Sequence, residues 1–137
     1  MHSATQAPSG SKGRLWTARI LSALVALFML FDTVIHLMTP TPVVEAFARL
    51  GYPLGTSVVI GIIELACVVL YLTPRTAALG AILLTGVFGG AIAAQIRIGS
   101  PAFETYIFPL LMGLLLWGGL WLRDDRLRAL VPLRTEK

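Results

Sequence analysis

Four long apolar stretches leave this chain few folds to choose from. They run over about residues 15–38, 56–72, 76–98 and 105–122. Each is long enough, or nearly so, to cross about 30 Å of hydrocarbon at about 1.5 Å per residue. Backbone amides in lipid need partners within their own segment, so each stretch is expected to be an α-helix. A β-barrel would need apolar and polar residues to alternate, and LSALVALFMLF does not. Charged residues make up 13% of the chain and hydrophobic ones 56%. An ordinary soluble domain is about 25% charged. The expected fold is therefore all-α: an antiparallel four-helix transmembrane bundle. The first stretch reads as a retained span and not a cleaved leader. It is too long for a leader, carries Asp32 and His36, and is followed by TPTP in place of a small-residue cleavage site.

The connections fit one bundle. Thr73-Pro74-Arg75 and Gly99-Ser100-Pro101-Ala102 are short enough to force antiparallel neighbours. The first loop, residues 39–55, is long. Within it Val43, Val44, Phe47 and Leu50 make one apolar face of a short helix, beginning after Pro42 and ending at Gly51. That helix is expected to lie in the interface and cover the mouth of the bundle. Residues 1–14 are small and polar and read as a disordered tail; residues 15–128 form the membrane domain and 129–137 a second tail.

The net charge of +4 points to orientation and not to nucleic acid. Lys12, Arg14, Arg19, Arg75, Arg123, Arg126, Arg128, Arg134 and Lys137 share one side, and only Arg49 and Arg97 fall on the other. The positive-inside rule then makes both termini cytoplasmic. Trp16, Trp117 and Trp121 fall near the same ends, as an aromatic belt would.

Polar groups at membrane depth are costly and mark function by default. Asp32 and His36 share a face of the first span, about 9 Å and about 3 Å below its outer end. Glu64 lies about 12 Å below the outer start of the second. Gln95 and Arg97 are near the outer end of the third, and Glu104 and Tyr106 near the outer start of the fourth. Asp32, His36, Glu64, Gln95, Arg97 and Tyr106 are thus the candidate lining of a polar pocket in the outer half. On the second span Ser57, Gly61, Glu64, Cys67 and Tyr71 share the small, polar face. On the third, Ala77, Ala81, Thr85, Gly89 and Ala93 form a small-residue stripe beside Gly86, Gly90 and Ala94, a surface suited to close helix packing or to a homo-oligomer. Arg97 continues that stripe, which turns it into the bundle toward Asp32 or Glu64; the competing reading has it reach out to the interface. Pro109 either kinks the fourth helix or sits in its first turn.

Such a cluster serves structural pairing, ligand or proton handling, or, with the weakest support, a metal ion; no metal is assigned. Cys67 is alone, which removes thiol oxidation by a cysteine pair. The chain has no CxxCH, GxGxxG or phosphate loop, and His36 has no second histidine for haem, so no cofactor is named.

LGYP at 50–53, GIIELACVVLYLTPRTAALGAILLTG at 61–86, GGAIAAQIRIG at 89–99 and FPLLMGLLLWGGLWLRDDRLRALVPLR at 108–134 together resemble the DoxX-like membrane proteins. The resemblance implies a multi-pass protein of the bacterial inner membrane. The family takes its name from the small subunit of a thiosulfate:quinone oxidoreductase, and other members look like partners of redox-stress enzymes. Glu64 and His36 match positions where such proteins commonly carry these residues. Gln95 stands where relatives often have histidine, so half of a histidine pair between the first and third spans is missing. Three readings follow: an accessory subunit of a redox or stress system, taken first and not an enzyme on its own; a binder or carrier of a small apolar molecule such as a quinone or lipid; and a metal- or proton-dependent membrane enzyme.

Overall fold

The computed structural model describes residues 10–131. It is a four-helix transmembrane bundle, with helices α1 (Gly10–Met38), α2 (Thr41–Leu50), α3 (Gly55–Leu72), α4 (Ala77–Arg97), α5 (Phe108–Arg123) and α6 (Asp125–Leu130). A π-helical turn, Phe103–Ile107, leads into α5. No strand occurs among the described residues. The four spans are α1, α3, α4 and the turn with α5, all long and apolar enough to cross a membrane. At most a third of any span is buried inside the bundle. Leu24, Leu27, Phe31, Ile62, Ile82 and Leu114 are among the large apolar side chains left on the outside. Water would not tolerate such a surface, and lipid does.

Local chemistry sets the element boundaries. Pro42 occupies the first turn of α2, where its missing N–H costs nothing. Gly51 ends α2 in the left-handed region at φ 74°. Its N–H and that of Tyr52 return to the Ala48 and Phe47 carbonyls, closing the helix end. Pro109 sits in the first turn of α5 directly after the π-helical turn. Asp124 caps α6 by accepting from the Arg126 amide at 2.9 Å and from the Leu127 amide at 3.2 Å, the usual role of an N-terminal aspartate. α1 begins at Gly10, ahead of the boundary at residue 15 read from the sequence. Residues 1–9 and 132–137, the greater part of the two expected tails, lie outside the described residues.

α3 and α5 both pack along α1, and α4 closes the ring against α3 and α5. The end holding the first turns of α1 is tightly knit around Tyr71. Its hydroxyl donates to the Leu116 carbonyl at 3.0 Å and pairs with Ser22 Oγ at 3.1 Å. Arg123 donates to the Tyr71 carbonyl, 3.0 Å away, and lies over the Tyr71 ring. It thereby caps a carbonyl that the end of α3 leaves without a helical partner. Two glycines make these approaches close. A Cβ on Gly80 would stand 2.3 Å from the Tyr71 amide nitrogen, and one on Gly119 would stand 2.7 Å from Ser22 Oγ.

The packing of α4 corrects the stripe read from the sequence. Ala77, Gly80, Ala81 and Leu84 are the buried residues of α4, all in its first half. Gly86, Gly89 and Gly90 have nothing within 4 Å of where a Cβ would be. Small residues every fourth position mark a face that permits close packing, but α4 uses that face only as far as Leu84. Beyond Leu84 no residue of α4 is buried, and the bundle opens.

Gly80→Ala is therefore expected to cost about 1–3 kcal/mol, because the obstacle is backbone and cannot swing aside. Gly86→Ala is expected to be neutral or stabilising. Thermal unfolding in detergent compares the two, and equal midpoints would contradict this account of the packing.

Candidate functional site: a buried His–Glu–Asp cluster at the floor of a cavity

The cluster grows from one close helix crossing. A Cβ on Gly61 would lie 3.1 Å from the Cβ of His36 and from Leu37, so glycine lets α3 press against the end of α1. One turn before it, Ser57 donates its hydroxyl to the His36 carbonyl at 2.9 Å. That carbonyl is an acceptor that the helix end leaves unpaired. One turn after it, Glu64 meets the imidazole: His36 Nδ1 lies 3.0 Å from Glu64 Oε2. Ser57, Gly61, Glu64, Cys67 and Tyr71 are all buried, so the small, polar face of α3 is its inward face. Glu64 is only 2% exposed. Asp32, one turn before His36 on the same face of α1, places Oδ2 3.7 Å from Nδ1. Donor atoms of the three side chains all lie within 4.8 Å of one another.

Where α4 diverges from its neighbours, a cavity of about 680 Å³ opens above this cluster. Asp32, His36 and Glu64 form its polar floor. Phe28, Phe88 and Phe108 line its sides, and Phe47, Leu50 and Tyr52 belong to the α2 segment at its mouth. Phe28 and Phe108 meet edge to face at 4.8 Å. Phe47 meets the His36 ring edge to face at 5.8 Å, so α2 is seated on the cluster. Both are favoured arrangements of aromatic rings. A largely apolar cavity with a few convergent polar groups is the usual form of a small-molecule site.

The six sequence candidates separate into two groups. Asp32, His36, Glu64 and Gln95 line the cavity. Tyr106 does not: it is 45% exposed on the π-helical turn, whose neighbours Phe103 and Glu104 face the cavity instead. Arg97 does not pair with Asp32 or Glu64 either. Its guanidinium donates to the Leu50 carbonyl and sits 5.6 Å over the Tyr52 ring. It thus serves the end of α2, where an exposed carbonyl and the helix dipole both favour a cation. Extending the small stripe of α4 to Arg97 leads to the expected pairing. The inward face at this depth is instead Val87, Gly90, Ala91, Ala94 and Gln95, and Arg97 stands off it.

Sequence alone does not single out the aromatic walls. An apolar residue in a membrane span gives no sign of whether it faces lipid or a void. Only the helical spacing of Phe28 from Asp32 and of Phe88 from Gln95 hints at a shared face.

The cluster offers one ring nitrogen and two carboxyl groups, a donor set that divalent cations also accept. Among the described residues no arginine or lysine neutralises it. Even with His36 charged, two carboxylates would leave a negative excess, so a shared proton or an incoming cation must balance the site.

The cluster predicts a specific pattern of coupling. Glu64→Gln and His36→Gln are expected to be non-additive by about 0.5–2 kcal/mol in a double-mutant cycle of stability in detergent. Glu64→Gln and Arg97→Gln are expected to be additive within about 0.5 kcal/mol. The reverse ranking would restore Arg97 as the partner of Glu64.

No curated protein and no solved structure matches the chain. The profile of the DoxX-like family matches residues 20–119, a stretch running from α1 almost to the end of α5 and containing Asp32, His36, Glu64 and Gln95. The chain belongs to the DoxX-like family.

Proposed function

We propose that this protein binds a small, largely apolar molecule in the cavity between α1, α3, α4 and α5, with the polar head of that molecule on the Asp32–His36–Glu64 cluster. The observation that carries this reading is the juxtaposition of an apolar cavity of about 680 Å³ with a polar floor in which Glu64 is buried and His36 and Asp32 are part-buried. A purely structural ion pair needs no such space beside it. Lining residues come from every span and from α2, so a bound molecule would touch the whole bundle. The expected role beside a redox enzyme rests on the family resemblance, while the geometry speaks for a ligand.

The α2 side of the bundle is the periplasmic side in this proposal, with both termini cytoplasmic. Among the described residues, Lys12, Arg14, Arg19, Arg75, Arg123, Arg126 and Arg128 fall at the opposite ends of the spans, and only Arg49 and Arg97 fall on the α2 side. Cysteine accessibility checks this: Ala102→Cys is expected to label from the periplasm and Arg75→Cys to be protected. The opposite pattern would invert the protein.

Native mass spectrometry of detergent-purified protein tests the binding itself. Gly90 is on the cavity wall and has free space at its Cβ position, so Gly90→Leu is expected to obstruct the cavity without disturbing the fold. The expected result is a small molecule retained by the unmodified protein and lost from Gly90→Leu, with unchanged unfolding temperature. Equal retention by both would sink the cavity as the binding site.

A further inference from the structure

Carboxyl groups outnumber basic side chains on the cavity wall. Asp32 and Glu64 lie at the floor, and Glu104 on the π-helical turn adds a third carboxyl group. Among the described residues His36 is the only basic side chain of the lining, and its Nδ1 is already engaged with Glu64. Arg97 would be the natural counter-charge, but it is committed to the Leu50 carbonyl and the Tyr52 ring. Around this acidic floor stand the rings of Phe28, Phe47, Tyr52, Phe88, Phe103 and Phe108.

We propose that the cavity selects lipophilic cations: amines or onium ions carrying an apolar body. The inference rests on the reading of the cavity as a binding site and names the head group it takes. A cation neutralises the excess negative charge of the floor, where the low dielectric strengthens the attraction. Aromatic faces attract the same charge through their quadrupoles, and they do so best where water is excluded. The apolar body then occupies the rest of the cavity. A carboxylate or phosphate head would face three carboxyl groups with no free base. A quinone head carries only acceptors; it finds donors in the Thr56 and Tyr52 hydroxyls and the Gln95 amide of the lining, but it leaves the carboxyl groups of the floor without a counter-charge.

Two probes of the same size and shape but opposite charge isolate this claim: tetraphenylphosphonium and tetraphenylborate. Decylubiquinone serves as the neutral probe. Equilibrium dialysis against the purified full chain in detergent measures each, with protein-free micelles of the same detergent defining uptake by the micelle. Tetraphenylphosphonium is expected to bind one per chain, at least about tenfold tighter than either other probe, a difference of about 1.4 kcal/mol. Glu64→Gln and Asp32→Asn are each expected to weaken it by a similar factor. Glu104→Gln, which changes a residue at the exposed edge, is expected to weaken it less, and it keeps the test open if a floor variant fails to fold. Decylubiquinone bound in preference to the cation, or tetraphenylborate bound as tightly as its counterpart, would overturn the cation proposal and leave the binding site standing. Uptake of all three probes equal to that of protein-free micelles would overturn both.

Discussion

A carboxyl group buried at membrane depth has to be satisfied from within the protein. Glu64 is such a group, and the imidazole of His36 satisfies it at 3.0 Å. The bond requires α1 and α3 to approach closely, which Gly61 permits and the Ser57 bond to the His36 carbonyl secures. It fixes the register of the two helices at one end, as Tyr71 with Ser22, Leu116 and Arg123 does at the other. Between these two polar anchors the helices are held by close contact and by the Trp117 bond to Thr85 Oγ1 at 2.8 Å, since lipid gives apolar surfaces no reason to leave it.

The two anchors leave α4 unequal along its length. Its first half is clamped by Gly80 against the backbone of α3, while its second half touches little, and the space beside it becomes the cavity. α2 then closes that space from the end, with Phe47 on the His36 ring and its last turn held by Arg97. Cavity, cluster and lid thus share a common origin in where the helices can and cannot approach. The family assignment gives the protein its class, and this geometry gives it a candidate site.

The spans, the short helix after Pro42 and the inward face of α3 are legible in the sequence because each has a strong local cause. A run of apolar residues must be helical in lipid, and a proline–glycine pair brackets a short helix. Ser57, Gly61, Glu64, Cys67 and Tyr71 differ in kind from their lipid-facing neighbours. Asp32, His36 and Glu64 stand out by cost alone. Arg97 and Tyr106 fall elsewhere than expected because azimuth does not extrapolate along helices whose packing changes with depth. A stripe such as Gly86–Gly90 shows that a helix is able to pack closely, and it is silent on whether a partner is there. Tyr106 stands two residues from both Glu104 and Phe108, so helical spacing turns it away from the cavity that those two residues line; its depth in the membrane gives no azimuth.

A second groove offers the sharpest comparison. It lies between α4 and α5, with a volume of about 620 Å³, and is lined by Gly89, Leu114, Trp117 and Trp121, with no carboxyl group among the described residues of its lining. A structure of the protein purified with its retained molecule distinguishes the two places directly. The account predicts density in the cavity, with a polar head within hydrogen-bonding distance of Glu64 or Asp32. Density confined to the α4–α5 groove, with the acidic cavity empty, would contradict it.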